Sequence, residues 1–491
     1  MDNDKPKSFC GIFGIYDHNR AAYITYYGLH ALQHRGQEAS GIVTSEKKED
    51  GRVIFNIHKD IGLVSEVFHN PEVLNEHLTG CAAIGHNRYS TTGSSESRKN
   101  IQPFLVNYRM GHLAVAHNGN LTNAHILREE LVNEGAIFQT TSDTEVILHL
   151  ISKSRLEDQV SQIKEALQKI EGAYCLVILT DDKLIAARDP YGFRPLSLGK
   201  LNGSFIIASE TCAFDINSAE YIRDIQPGEL VVIDRESVEQ KSIKSFQIFD
   251  ELPGKKQCIF EYIYFSRPDS MIFGHSVDKI RRRLGKVLAK KHPATDKDGE
   301  KVIVISVPDS SNTAALGYVN QLEKDGLKAR FEIGLIRSHY IGRTFIQPGQ
   351  SKREVGVKIK FNTVRGVLEN KTIVLIDDSI VRGTTSKLLI NLLKEANPKA
   401  IHIRISSPPI MNPCFYGMDF PSKEELIANK FNGNTDSICD YLEVDSLEYL
   451  TEAELLEAMA ENEKDDFCAA CFTGKYPTEI NKHFTKDVYE E

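Results

Sequence analysis

The stretch Thr372–Ser386, TIVLIDDSIVRGTTS, constrains the fold of this chain more than any other. Its apolar run Ile373-Val374-Leu375-Ile376 fits a strand of a parallel sheet, where both faces are covered and both need apolar side chains. The run stops at two adjacent acids, Asp377 and Asp378, and enters a loop carrying Gly383, Thr384 and Thr385. A helical pattern follows, with Leu388, Leu389, Leu392 and Leu393 on one face. Strand, acids, hydroxyl-rich loop and helix form the layout of a site for a phosphorylated sugar. N–H groups of the loop and helix start can hold a phosphate, while the carboxylates accept from ribose hydroxyls or help hold Mg2+. The competing reading is an ordinary strand–loop–helix unit with two acids on a solvated turn. The continuation Arg382-Gly383-Thr384-Thr385-Ser386 weighs against it, because close backbone approach to a phosphate needs small residues there.

At 491 residues the chain exceeds one ordinary core, so two or three domains are expected. A formal net charge of −9, with no basic block, argues against a nucleic-acid-binding surface. No apolar run approaches the roughly 18 residues of a membrane helix. The amino terminus, MDNDKPKSF, is charged and lacks the apolar segment of a secretory signal, so a cytoplasmic location is expected. Nine cysteines spread over this length do not read as a disulfide framework. Each is then a packed thiol, a metal ligand or a nucleophile.

Cys10 opens CGIFGIYDH, immediately before an expected strand at Ile12–Tyr16. A cysteine so placed is ordinarily a packed thiol. Downstream, in order, come LQHRGQEASG (Leu32–Gly41), GHNRYSTTG (Gly85–Gly93), HNGNL (His117–Leu121) and SDTE (Ser142–Glu145). Together these resemble the amino-terminal-nucleophile glutamine amidotransferase domain, over roughly residues 10 to 240. The chemistry accounts for the residue types. A thiolate attacks the glutamine amide, giving a tetrahedral oxyanion and then a thioester. A thiol of pKa about 8.5 needs a base, and a free α-amino group of pKa about 7.7–8 can serve. That requires Cys10 to be the first residue, so the resemblance implies that Met1–Phe9 is a propeptide that is removed. It further implies the Asn118 side chain and Gly119 N–H as oxyanion donors. Arg88 and Asp143 become partners of the substrate's α-carboxylate and α-ammonium, with Arg35 as a further glutamine-binding position. His86 and His117 are read as structural hydrogen-bonders, and Tyr191–Pro195 and Ala208–Glu210 as packing and pocket walls. Strands are expected at residues 52–57, 113–116, 173–179, 184–187, 205–208 and 230–233, with helices at 123–133 and 144–152. Period counting alone gives an α+β domain; the resemblance implies a four-layer αββα sandwich.

The polar stretch 241–257, ending in Pro253-Gly254, marks a boundary between domains at 10–245 and 258–480. The basic helix Lys279–Lys291 reads as a solvated connection, and His292–Glu300 as a surface insertion. Val302–Val307 is a second β-rich run, followed by PDSSNTAALGY (Pro308–Tyr318). Two such strand–loop–helix units on neighbouring strands meet at the carboxyl edge of a doubly wound α/β sheet, where ligands bind. On local grounds an Asp-Ser helix cap fits the second loop equally well. Thr372–Ser386 resembles the phosphoribosyltransferase signature. The resemblance implies pyrophosphate contacts from Asp309 and Ser311, Mg2+ contacts from Ser310, Asp377 and Asp378, and a 5-phosphate site at Arg382, Gly383, Thr384, Thr385 and Ser386. Arg337–Asn362 resembles a flexible lid over phosphoribosyl pyrophosphate, with Arg343 and Lys352 as phosphate partners. Its Arg337-Ser338-His339-Tyr340 departs from the usual Lys-Asn-Arg-Tyr.

Cys468-x-x-Cys471 has metal-ligand spacing and, with Cys258 and Cys414, gives four thiolates. Spacing alone points to structural zinc ahead of an iron–sulfur cluster. The flanks NPCFYG and CFTGKYP instead resemble the iron–sulfur subclass of the family named below, implying a [4Fe–4S] cluster on Cys258, Cys414, Cys468 and Cys471. Cys439 is the rival fourth ligand, and Cys81, Cys175 and Cys212 read as core thiols. From Cys10 to about Ile480 the chain resembles the glutamine phosphoribosylpyrophosphate amidotransferases. That implies ammonia release from glutamine in the first domain and displacement of pyrophosphate by ammonia in the second. The product would be 5-phosphoribosylamine, the first committed step of purine synthesis. A closed passage between the sites is expected, since ammonia protonates in water. Feedback by purine nucleotides and a homotetramer are further implications of the resemblance. Two rivals remain. An amidotransferase with another acceptor, such as a sugar-phosphate synthase, has no use for IDDSIVRGTTS. A nucleotide-sensing regulator would ordinarily carry a basic DNA-binding domain.

Overall fold

Strand Gly172–Thr180 is buried at every position because it lies in the middle of a four-layer stack. Its Leu176 and Ile178 face helices Ala124–Asn133, Thr144–Lys153 and Gln159–Leu167. The intervening Cys175, Val177 and Leu179 face a second sheet through Ile12, Ile84 and Ile207. Period-2 alternation thus feeds two cores from one strand, and each fully buried aliphatic side chain contributes about 1.5–3 kcal/mol. The computed structural model describes residues 10–89, 98–338, 360–459 and 461–480.

One sheet has the order Glu220–Asp224, Ser197–Leu201, Ser204–Ala208, Gly11–Tyr16, Ala82–Arg88, Ala39–Lys47, Val53–Ile61. The other runs Lys244–Gln247, Glu229–Ile233, Leu184–Arg188, Gly172–Thr180, Gly111–Leu121, Phe104–Tyr108. Helix Ala21–Ala31 covers the outer face of the first. The domain is therefore an αββα sandwich.

The second domain is built on a parallel sheet, ordered Ala329–Phe331, Val302–Ser306, Thr372–Asp377, Ala400–Ile405, Ser446–Tyr449. Val304, Val374 and Ile376 face helices Val277–Lys291 and Asn312–Lys324, while Ile303, Ile305, Ile373 and Leu375 face helices Thr384–Lys394 and Thr435–Leu442. From Val302–Ser306 the chain passes through helix Asn312–Lys324 to the strand on one side. It later returns to Thr372–Asp377 on the other side. The order of winding therefore reverses between these two strands, and the crevice above their carboxyl ends is the ligand position of a doubly wound fold.

Two expectations fail here. Helix Val277–Lys291 is no solvated connection: Val277, Ile280, Leu284 and Leu288 are buried in the core. It packs tightly on Asn312–Lys324, since a Cβ on Gly285 would lie 1.9 Å from the Ala314 carbonyl oxygen and one on Gly317 2.1 Å from that of Arg282. Charge composition concealed a half-buried stripe, as long basic side chains do on a two-faced helix. The segment His292–Glu300 also does structural work. Its Asp296 is buried and accepts from Lys399 Nζ at 3.0 Å and from Thr372 Oγ1, anchoring the start of the strand that carries Asp377.

Candidate functional site

Cys10 lies just before strand Gly11–Tyr16 and is buried, its thiol donating to the Tyr89 carbonyl at 3.6 Å. Burial pushes the thiol up to about 11, against the opposing pull of the Tyr89 contact and Arg88. The thiol is therefore protonated at neutral pH while the chain continues through residues 1–9, and its activation needs a base. A small pocket opens beside it, walled by Arg88, Asn100, Gln102, His117, Gly119 and Asp143 among others.

Strand Gly111–Leu121 brings up the oxyanion candidates. Asn118 is in register with Cys175, on the face turned toward the strand that follows Cys10. It is fully buried, and neither Nδ2 nor Oδ1 has a hydrogen-bond partner among the described residues. An unpartnered buried polar group costs about 1–3 kcal/mol, so such an amide reads as held in reserve for a ligand. Gly119 is required by close packing: a Cβ there would lie 2.0 Å from the Ala173 carbonyl oxygen. Arg88 ends strand Ala82–Arg88 and Asp143 precedes helix Thr144–Lys153, so opposite charges flank the pocket. Burial alone would push Asp143 up. It is outweighed by His117, by the Leu121 N–H at 3.0 Å and by Thr144, which hold the carboxylate below its usual range. His117 lines the pocket with Nδ1 3.0 Å from Thr144 Oγ1 and 3.7 Å from Asp143 Oδ1. His86 lies deeper; burial lowers it to about 3, so it is neutral at physiological pH.

At the switch point of the parallel sheet, Asp377 and Asp378 are both buried. Ser310 Oγ donates to Asp378 Oδ1 at 2.6 Å, Ser311 Oγ to Asp377 Oδ1 at 3.2 Å, and Ser379 Oγ to Asp378 Oδ2 at 2.9 Å. The loop after Val302–Ser306 is thus tied directly to the acids after Thr372–Asp377, as the sequence led one to expect. Asp309 lies at the exposed edge, 3.7 Å from the Arg337 guanidinium. Gly383 is left-handed (φ +80°) just before helix Thr384–Lys394, and a Cβ there would lie 2.3 Å from Ile427 Cδ1. Only glycine fits this turn. Thr384, Thr385 and Ser386 form the helix's first turn, whereas the Arg382 Nε donates to Glu425 at 2.8 Å. Arg343, Lys352, His339 and Met1–Phe9 lie outside the described residues.

Cys258 and Cys468 are register partners in a short parallel pairing. Burial first, and then the charges of Cys258, Cys414 and Cys468, push Cys471 well up, so the four sulfurs share one site. The Tyr416 N–H donates to Cys414 Sγ at 3.4 Å. Cys439 packs elsewhere, on the opposite face of the parallel sheet, donating to the Val444 carbonyl at 3.3 Å. Cys175 and Cys212 are buried as expected, but Cys81 is exposed. Among the described residues no three His, Cys, Asp or Glu side chains converge closely enough for a single metal ion.

A glutamine amidotransferase domain family matches residues 86–215. Amidophosphoribosyltransferase 2, chloroplastic, of Arabidopsis thaliana is 49% identical over 481 residues, covering 97% of this chain and 81% of that protein. The chain belongs to the amidophosphoribosyltransferase family. A solved structure described as the allosteric regulatory enzyme of purine biosynthesis superposes with a TM-score of 0.87 at 45% identity, covering 96% of this chain and 97% of that one. The B. subtilis glutamine phosphoribosylpyrophosphate amidotransferase complexed with ADP and GMP gives 0.86 at 45%, covering 97% and 99%.

Membership in the family does not place every expected residue in a pocket. The Arg35 guanidinium is fully buried and is not among the residues that line the pocket beside Cys10. It is held by Glu210 and by Glu261 of the second domain, the latter at 2.7 and 3.1 Å, while Nε donates to the Cys10 carbonyl at 3.4 Å. Arg35 therefore helps fix the backbone at Cys10. Tyr191–Pro195 and Ala208–Glu210 form the domain junction rather than pocket walls. Arg194 donates to the Tyr416 carbonyl at 2.6 Å and lies 3.4 Å from Glu261, and Phe193 stacks on Tyr416 with ring centroids 4.2 Å apart. Glu261 and Gln102 were invisible as site residues in the sequence. Glu261 sits in the aromatic run CIFEYIYF, where one acid among apolar neighbours was the only available signal.

Proposed function

We propose that Cys10 is the glutaminase nucleophile, freed by removal of Met1–Phe9. The reaction of this family, transfer of glutamine nitrogen to a phosphoribosyl group at the first step of purine biosynthesis, is that of a pentosyltransferase. In our reading the freed α-amine takes the thiol proton as the sulfur attacks the amide carbon. Asn118 and the Gly119 N–H receive the oxyanion, and protonation of the departing nitrogen releases ammonia. Arg88 and Asp143 orient the substrate's α-groups by charge-assisted bonds. In the second domain, Asp377 and Asp378 hold the ribose hydroxyls and would hold Mg2+, which would neutralise charge on the substrate's phosphates. Two carboxylates suffice for Mg2+ when substrate phosphates supply the remaining ligands. Arg382, Gly383 and the first turn at Thr384–Ser386 take the 5-phosphate, Asp309 and Ser311 face the pyrophosphate, and Ser310 would add a Mg2+ contact. The carrying observation is the buried Asn118 amide, without hydrogen-bond partners among the described residues, beside Gly119 in the wall of a pocket that also holds Arg88 and Asp143.

The same proposal includes a [4Fe–4S] cluster on Cys258, Cys414, Cys468 and Cys471. Four neighbouring thiols, Cys258 and Cys471 buried and Cys414 and Cys468 half-buried, support a shared metal site, and the flanks of Cys414 and Cys471 favour a cluster over zinc. It would supply a staple between the chain's last segment and the start of the second domain. Thiols in this set call for a reducing, cytoplasmic setting. Purine nucleotides as inhibitors are supported by the ADP and GMP bound to the B. subtilis relative, and a homotetramer is carried by the family resemblance. The test is Cys10→Ala. Pyrophosphate release with glutamine should vanish and return with ammonia, and active wild-type protein should begin at Cys10 by mass spectrometry. Glutamine-dependent turnover by Cys10→Ala would overturn the nucleophile assignment.

A further inference from the structure

Between the two sites runs a line of buried polar contacts whose middle member has no place in either chemistry. Arg281 is 2% exposed on helix Val277–Lys291. Its Nε donates to the Tyr262 carbonyl at 2.7 Å, NH2 to the Ser266 carbonyl at 2.8 Å, and NH1 to the Ser310 carbonyl at 3.5 Å. On one side, Ser310 Oγ reaches Asp378. On the other, Ser266 Oγ donates to Glu261 Oε2 at 2.7 Å, and Glu261 holds Arg35, which reaches the Cys10 carbonyl. Burial is the chief influence on this guanidinium, and the acids it faces come from both sides: Asp378 first, then Glu210 and Glu261. Among the described residues this cation has no salt-bridge partner, and by capping three carbonyls it fixes backbone rather than storing pair energy.

We propose that Arg281 is a positioning residue shared by both active sites, setting the Ser310 turn at the acceptor acids and the Tyr262–Ser266 turn that aims Glu261 at Arg35. Displacements pass along such a line because interiors are close-packed and every group in it has one hydrogen-bonded place. The inference rests on the proposed two-site reaction.

The test uses the full-length protein with Arg281→Lys, Ser266→Ala and the double variant. Two readouts are taken: the KM for phosphoribosyl pyrophosphate with ammonia as nitrogen source, and glutamate release from glutamine alone. Arg281→Lys should raise that KM about tenfold, with kcat within about twofold, and lower glutaminase kcat/KM about tenfold. Ser266→Ala cuts the line on the Glu261 side only, so it should lower glutaminase and leave the phosphoribosyl pyrophosphate KM unchanged. The double variant should lose no more glutaminase than the worse single one, as for residues in one network. Should Arg281→Lys fail to fold, Ser266→Ala decides alone: equal loss at both sites, or none at either, overturns the proposal. A wild-type protein that releases no pyrophosphate would refute the reaction itself, whereas variants indistinguishable from an active wild type refute only the shared positioning.

Discussion

Replacing Asn118 by alanine should separate catalysis from stability, because among the described residues both polar atoms of this side chain lack hydrogen-bond partners. Removing one preorganised oxyanion donor costs about 10²–10³ in kcat, or about 2.7–4 kcal/mol. The same substitution deletes a buried unsatisfied amide, relieving about 1–3 kcal/mol. The small cavity that replaces it costs on the order of 1 kcal/mol. The net effect on folding lies between zero and about +2 kcal/mol. At about 2–4 °C per kcal/mol for a domain of this size, Tm should hold or rise by several degrees. The assay is glutamate release together with a thermal melt, and ammonia-supported pyrophosphate release serves as the control for the second domain. Asn118→Ala should lose at least a hundredfold in glutaminase kcat, keep the ammonia reaction within about twofold, and melt no lower than wild type. A glutaminase loss below tenfold would refute the oxyanion role. A Tm several degrees lower would show that the amide has partners in the folded protein and is not in reserve.

Cys468→Ser should abolish the brown colour and the iron content of purified protein by metal analysis; stoichiometric zinc without iron would contradict the cluster. The domain junction predicts an acid response. Burial alone would raise Glu210, but His34 and Arg35 outweigh it and hold its carboxyl below the usual range, and Arg35 does the same for buried Glu261. A depressed folded pKa gives stability that is present above the unfolded value of about 4.3 and lost as pH falls through the folded one. Tm should therefore drop steeply below about pH 4, and Glu210→Gln should flatten that slope while lowering Tm at neutral pH.

The place of each candidate site in the fold was legible in sequence, and the junction between them was not. The acids at Asp377–Asp378 and the hydroxyls at Ser310–Ser311 announce themselves because a strand must end before a polar loop begins, and the loops meet through strand adjacency. Asn118 and Gly119 were readable through a motif. The partners of Arg35, Glu210 and Glu261, could not be foreseen because they lie 175 and 226 residues away. Period counting has no access to such separations. The basic helix misled for a different reason: lysines and arginines dominate its composition, while burial depends on the stripe formed by Val277, Ile280, Leu284 and Leu288. Cys81 shows the same limit, since a cysteine beside an apolar strand carries no mark of exposure.

The central claim, one chain that makes ammonia at Cys10 and uses it at Asp377–Asp378, is tested most directly by Asp378→Ala. Glutamate and pyrophosphate are measured together, with glutamine and phosphoribosyl pyrophosphate both present. Wild-type protein should release the two in equal amounts. Asp378→Ala should lose pyrophosphate release with either glutamine or ammonia, while its Cys10 pocket still hydrolyses glutamine. Pyrophosphate release at the wild-type rate from Asp378→Ala would contradict the account.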